Sequence, residues 1–140
     1  MSWKYLIPKI KLILSGITQI KEVASYPVAG VPKKSPYVIF FPSSFENSFE
    51  DTKNNFKIYK FKMWVGISLA GTNENEVFTN ILPKTVDAVI AKFDSEWNGG
   101  TVDGHRIWQI IDSGTWSLII NEKSKTAEAE LTLTVKMTTS

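Results

Sequence analysis

At 140 residues the chain has the usual size of one folded unit, and residues 1–140 are read as a single domain with one sizeable core. A net charge of +2 offers no general attraction for nucleic acid or acidic membranes, and the lack of cysteine excludes disulfides and thiolate metal sites. Hydrophobic residues make up 43% and charged residues 21%, ordinary for a soluble protein, while five Trp and eight Phe can supply a core or an interface with large apolar area.

Tyr5, Leu6, Ile10, Ile13, Leu14 and Ile17 recur at helical spacing and predict an amphipathic helix ending near Gly16. Pro8 suits a first turn, so the helix is expected to begin near Ile7. Lys4, Pro8, Lys9 and Lys11 break the apolar run, so this segment is not read as a signal peptide. Nowhere are there the ~20 apolar residues of a membrane span, so the protein is read as soluble and made in a cytoplasm.

Gln19 to Ser35, with Pro27, Gly30 and Pro32, reads as a connection containing a short strand around Ile20 to Ala24. Tyr37 to Phe41 reads as a strand between Pro36 and Pro42. Ser43 to Asn55 is polar apart from Phe45 and Phe49, and predicts a protruding loop, either functional, as loops of this length often are, or simply a mobile solvent loop. Phe56 to Leu69 predicts a long strand. Tyr59, Phe61, Met63, Val65, Ile67 and Leu69 share one face; Lys60, Lys62, Trp64, Gly66 and Ser68 share the other. Phe56 and Ile58 fall out of phase, which calls for a bulge or a change of packing partner near Ile58.

After a turn at Ala70-Gly71-Thr72, the series Val77, Phe78, Ile81, Leu82, Val86, Val89, Ile90, Phe93 and Trp97 predicts an apolar helix. Asn73 is its expected N-cap, Glu74 and Glu76 suit its first turn, and Asn98-Gly99-Gly100 is its expected end. Pro83 should kink or split it. Arg106 to Ile111 and Trp116 to Asn121 read as two strands with Asp112-Ser113-Gly114 turning between them. Glu122 to Lys125 turns into a last strand, Thr126 to Thr138, in which apolar and polar residues alternate without a break.

No site chemistry emerges from the residues. His105 is the single histidine, too few for a histidine metal site, and it sits beside Gly104 in an apparent turn. No glycine pattern matches a phosphate-binding loop. Glu46, Glu50 and Asp51 cluster in the polar stretch, where carboxylates are ordinarily just solvated. No catalytic residue, cofactor or metal is expected, and the chain is not read as an enzyme. The aromatics are more telling. Trp64 lies on the lysine side of its strand with Lys60 and Lys62, and Trp108 shares a face with Arg106; each tryptophan is read either as ordinary core or as a contact anchor, a role in which tryptophan is enriched.

The order of elements resembles that of tail-terminator, or tail-completion, proteins of long-tailed bacteriophages. The resemblance is one of layout over nearly the whole chain. It runs from the N-terminal helix through Ala24-Ser25-Tyr26-Pro27-Val28, the polar stretch, and an Asn-x-x-x-Tyr-x-Phe strand (Asn55, Tyr59, Phe61), then the apolar helix, to the amphipathic strand Leu131 to Met137. It implies an α+β fold: a mixed, mostly antiparallel β-sheet with two main helices on one side, a long strand pair and a protruding loop. It implies a structural virion protein at the junction of tail and neck, a homo-oligomer forming a hexameric ring that caps the tail tube. The implied partners are the major tail tube protein and a neck or connector protein. DNA would pass through the lumen without sequence-specific binding, and no membrane would be involved; Lys60, Lys62 and Lys136 on the polar faces are read either as lining such a lumen or as keeping an edge soluble. Phe45, Phe49, Asn55, Lys60, Lys62, Trp64, Arg106 and Trp108 are the expected subunit or tube contacts. Two alternatives stay open: another head–tail connector such as a neck or stopper component, and a small-molecule binding module with a helix-over-sheet pocket lined by Trp97, Trp108 and Phe93.

Overall fold

A computed structural model describes residues 2–25, 34–49, 55–69, 73–121 and 126–138; the side chains of residues 2, 48, 49 and 116–121 are outside that description. So are the Tyr26-Pro27 segment and the stretches expected to turn at Ala70-Gly71-Thr72 and Glu122 to Lys125, as well as Glu50 and Asp51.

The fold is α+β, with a six-stranded, mixed but mostly antiparallel sheet curled as a half-barrel. Its elements are α1 (Ser2–Ser15), β1 (Glu22–Ala24), β2 (Tyr37–Phe49), β3 (Asn55–Ser68), α2 (Glu74–Glu76), a π-helical turn (Val77–Ile81), α3 (Leu82–Ser95), β4 (Asn98–Val102), β5 (His105–Asn121) and β6 (Thr126–Thr138). The strand order is β1-β2-β3-β6-β5-β4, with only β1 and β2 parallel. Among the described residues no helix is long and apolar enough to cross a membrane.

Alternation decides which side of the sheet is covered. Tyr59, Phe61, Met63, Val65 and Ile67 of β3 and Ala127, Ala129, Leu131, Leu133, Val135 and Met137 of β6 are all buried. They form one core cluster with Leu6, Ile10, Ile13, Leu14 and Ile17 near α1 and with Leu82, Val86, Val89 and Phe93 of α3. Both main helices therefore lie on this inner face. Trp3 anchors the start of α1, meeting Tyr59 and Phe61 edge-on at 4.8 and 5.1 Å between ring centres. At the other helix end, buried Gln109 of β5 donates from Nε2 to the carbonyl of Glu96 at 3.1 Å, tying the end of α3 to the sheet.

Several local expectations are corrected. The first helix starts at Ser2 and carries Pro8 inside it; Pro8 and Lys4 are both exposed residues, so the interruption of the helical ladder falls on the side of the helix away from the core. Of the expected loop Ser43 to Asn55, the described part, Ser43 to Phe49 and Asn55, is strand, and residues 50–54 lie outside the described residues. β2 runs to Phe49 and β3 starts at Asn55, pairing Phe49 with Asn55, so the stretch is the distal half of a long two-stranded ribbon. Pro42 to Asn47 are exposed on both faces, which is why no apolar alternation marks them as strand. Of the two explanations expected for the phase near Ile58, the bulge is absent from β3, which keeps unbroken register with β6 from Phe56 to Ser68 while the irregularity lies between Pro42 and Ser44 of β2, and the change of packing partner is present. Phe56 and Ile58 are out of phase because they face the outer side, where Phe56 has packing partners of its own.

Asn73 does cap its helix, its Oδ1 accepting from the Glu76 N–H at 3.3 Å. The interruption expected at Pro83 is present as the π-helical turn immediately before it, with Pro83 in the first turn of α3. The widened turn accommodates a residue that has no N–H to continue the ladder. Asn98-Gly99-Gly100 does not end the helix; α3 stops at Ser95 and these residues open β4. A tight turn follows, with Asp103 and Gly104 at φ 52° and 79°, a conformation glycine adopts without strain. Finally, Asp112-Ser113-Gly114 is no turn: β5 is one strand of 17 residues, and bulges at Ile111/Ser113 and Thr115/Ile119 absorb the residues that resemble a break.

Candidate interaction surface

The register builds a second surface on the side of the sheet away from the core. Lys60, Lys62 and Trp64 stand opposite Thr134, Thr132 and Glu130 of β6, and Trp108 and Ile110 of β5 stand opposite Lys136 and Thr134. From β2, Ile39 and Phe41 face Trp64 and Lys62. Four of the expected contact residues (Lys60, Lys62, Trp64 and Trp108) thus share one half-buried face.

Trp64 packs edge-on against Phe41, with ring centres 5.2 Å apart, and its Nε1 is buried without an acceptor among the described residues. Buried indole N–H groups normally find one, so the position is unfinished among the described residues. Lys62 pairs with Glu130 at 3.5 Å. That exposed pair contributes roughly 0.2–1 kcal/mol, but it removes a free positive charge from the face. Lys136 sits 4.2 Å above the Phe56 ring, and the Arg106 guanidinium 5.2 Å from the Trp108 ring. Of the three lysines read as lining a lumen or keeping an edge soluble, Lys62 and Lys136 have these partners, and Lys60 has neither an ion pair nor an aromatic partner among the described residues.

A depression of about 370 Å³ opens on the outer face, lined by Phe56, Trp97, Trp108, Ile110, Thr134 and Lys136. The Thr134 hydroxyl is buried there without a partner among the described residues. Trp97 is 50% exposed at its rim. Phe93 is fully buried in the helix-side core, so Trp97, Trp108 and Phe93 do not line one helix-over-sheet pocket. A depression of that kind lies elsewhere, about 270 Å³ between α3 and β5, with Val86, Ile90, Ile111 and Leu131 as apolar lining and Asp87 and Asp112 among its polar residues.

Near the hairpin end, Phe45 is 53% exposed on the inner face, stacked on Tyr59 at 6.1 Å, with the Lys57 ammonium 5.9 Å from its ring. Lys57 Nζ also donates to Asn47 Oδ1 at 3.2 Å. Phe49 and Asn55 face each other by backbone register at the end of the ribbon. The expected contact residues therefore fall into two groups, the hairpin end and the outer sheet face, and are not one patch.

One pair on the outer face has shifted protonation. Burial raises the pKa of Glu128, opposed by a hydrogen bond from the Tyr37 hydroxyl. Burial, and then the Glu128 charge, raise that of Tyr37. Sequence reasoning missed this pair, since Gly66 is what lets the Tyr37 ring lie across β3: a Cβ there would overlap the ring. Among the described residues no three His, Cys, Asp or Glu side chains converge, and His105 opens β5 beside the turn. The chain matches no protein-family model and no curated protein.

Proposed function

We propose that this chain is a structural virion protein of a long-tailed bacteriophage, a tail terminator whose copies form a hexameric ring capping the tail tube and joining it to the neck. The observation that carries the reading is the pairing of a well-packed core with two unfinished surfaces: a hairpin end exposed on both faces, and an open sheet face bearing Trp64, Trp97 and Trp108. The layout resemblance supplies the virion assignment. The tube protein and the neck component are the partners on this reading, and neck or stopper proteins are its nearest alternative.

Light scattering of the purified chain, alone and with tail tube protein, tests it. A ring-sized particle is the expected result; a monomer that ignores the tube protein overturns it. Immunolabelling of virions at the tube end, as opposed to the portal side, separates terminator from stopper.

The 370 Å³ aromatic depression favours a second reading, a small-molecule site. Reproducible thermal stabilisation by one compound class, abolished by Trp108→Ala, would support it over assembly.

A further inference from the structure

Both borders of the sheet are half finished. β1 covers β2 only from Tyr37 to Ile39, and β4 covers β5 only as far as Trp108. Beyond those points, Phe41 to Phe49 of β2 and Ile110 to Asn121 of β5 have no strand beside them on their outward edges among the described residues. Pro42 to Asn47 and Asp112 to Thr115 are exposed, as open edges would be. Such edges invite another chain unless they are blunted. Pro42 and the bulge beside it blunt one end of the β2 edge, but Ser44 to Phe49 carries neither lysine nor proline and holds regular register with β3.

The two edges also carry matching features on the inner face. On the β2 side stands a knob, half-exposed Phe45 with the Lys57 ammonium beside its ring. Along the β5 side lies a hole, the 270 Å³ depression with Val86, Ile90 and Leu131 as apolar wall and Asp87 and Asp112 as acids. A phenyl ring fits that volume, and the charges are opposite. Because β2 and β3, β3 and β6, and β6 and β5 are each antiparallel, β2 and β5 run in opposite directions. A neighbour related by a pure rotation lays its β2 antiparallel to β5, inner face to inner face. The open stretches occupy diagonally opposite corners, so the strands must be inclined to the rotation axis for the two to meet, and strand tilt of this kind is what staggers the edges of a closed sheet.

We infer that a second copy of this chain docks its hairpin end on the β5 edge, seating Phe45 in the groove between α3 and β5 with Lys57 against Asp87 and Asp112, so that the contact repeats head to tail. A pairing of β2 with β2 about a two-fold axis would leave every β5 edge bare, whereas the head-to-tail contact satisfies both borders with one interface. The inference rests on the reading that copies of the chain assemble.

A charge swap tests it. Lys57→Asp chains, and separately Asp87→Lys/Asp112→Lys chains, are expected to be monomeric by light scattering, because each places like charges across the contact. Mixed in equal amounts they should regain the parent's mass, since each knob then meets the opposite hole. Phe45→Ala should also lose assembly while keeping the parent's circular dichroism and melting behaviour, its ring being half exposed. The chain lacks cysteine, so a Ser44→Cys/Thr115→Cys double variant gives a second readout. Two strands separate these positions within one chain, roughly 14 Å, too far for an internal disulfide. Oxidation should then give a ladder of covalent oligomers that each single variant lacks. If the parent assembles but all the charge and Phe45 variants assemble equally well, the contact lies elsewhere and the ring reading survives. Cross-linking of a single variant to itself would show a two-fold contact and overturn the head-to-tail arrangement. A parent chain that stays monomeric at every concentration overturns both.

Discussion

The two faces of β3 are made by the same alternation and put to different uses. On the inner face Tyr59, Phe61, Met63, Val65 and Ile67 are closed in by helices and by β6. On the outer face Lys60, Lys62 and Trp64 stay half-buried, with Lys62 and Trp64 meeting Glu130 and Phe41 on the sheet. Stability is thus concentrated on one side of the strand, and the groups able to recognise something else on the other. A substitution that respects this division changes either folding or association; one that changes both shows where the division fails.

The largest expected effect is on the inner face. Phe61→Ala leaves a cavity beneath Trp3 and Phe40 and should cost about 3–5 kcal/mol, read as a lower urea midpoint. A loss below about 1 kcal/mol would mean that the helices do not press on this face. Next comes Gly66→Ala, the place where the outer face is itself closely packed. The new methyl would overlap the Tyr37 ring, and overpacking of this kind costs about 1–3 kcal/mol. An unchanged midpoint there would return the whole outer side to open surface.

The smallest effect concerns Glu128. Burial raises its pKa, so folding favours the neutral acid. The stability this carries is fully present below the unfolded-state pKa and is lost as pH rises through the folded-state one. Glu128→Gln, which stays neutral and can still accept from Tyr37, should melt above the parent at neutral pH, with the difference closing in acid. Thermal melts across that range check the sign, and a difference that widens in acid would contradict it.

How much of this was legible follows from what water touches. β6 could be read from end to end because one face is wet and the other dry, and that contrast is the alternation itself. The hairpin end was misread as a loop because both its faces are wet, so its side chains carry no period. β5 read as two strands because Asp112-Ser113-Gly114 has turn chemistry, and only pairing with β6 reveals that bulges absorb it. The same alternation put Lys60, Lys62 and Trp64 on one face correctly. The groove that would receive Phe45 was invisible, since it depends on how far α3 stands from β5, a distance set by packing between segments remote in sequence. The Tyr37–Glu128 pair was hidden for a related reason, being brought together across β3 by a missing side chain at Gly66.

β6 lies between β3 and β5 and pairs with both. Without it the molecule is two ribbons, β1 to β3 and β4 with β5, joined by no direct strand pairing. β6 follows β5 closely in the chain but is remote from β3, so its pairing with β3 closes a long loop, a slow kind of contact to form. Peeling it away removes the middle of the sheet in a single event, so the fold surrenders its order all at once and not border by border.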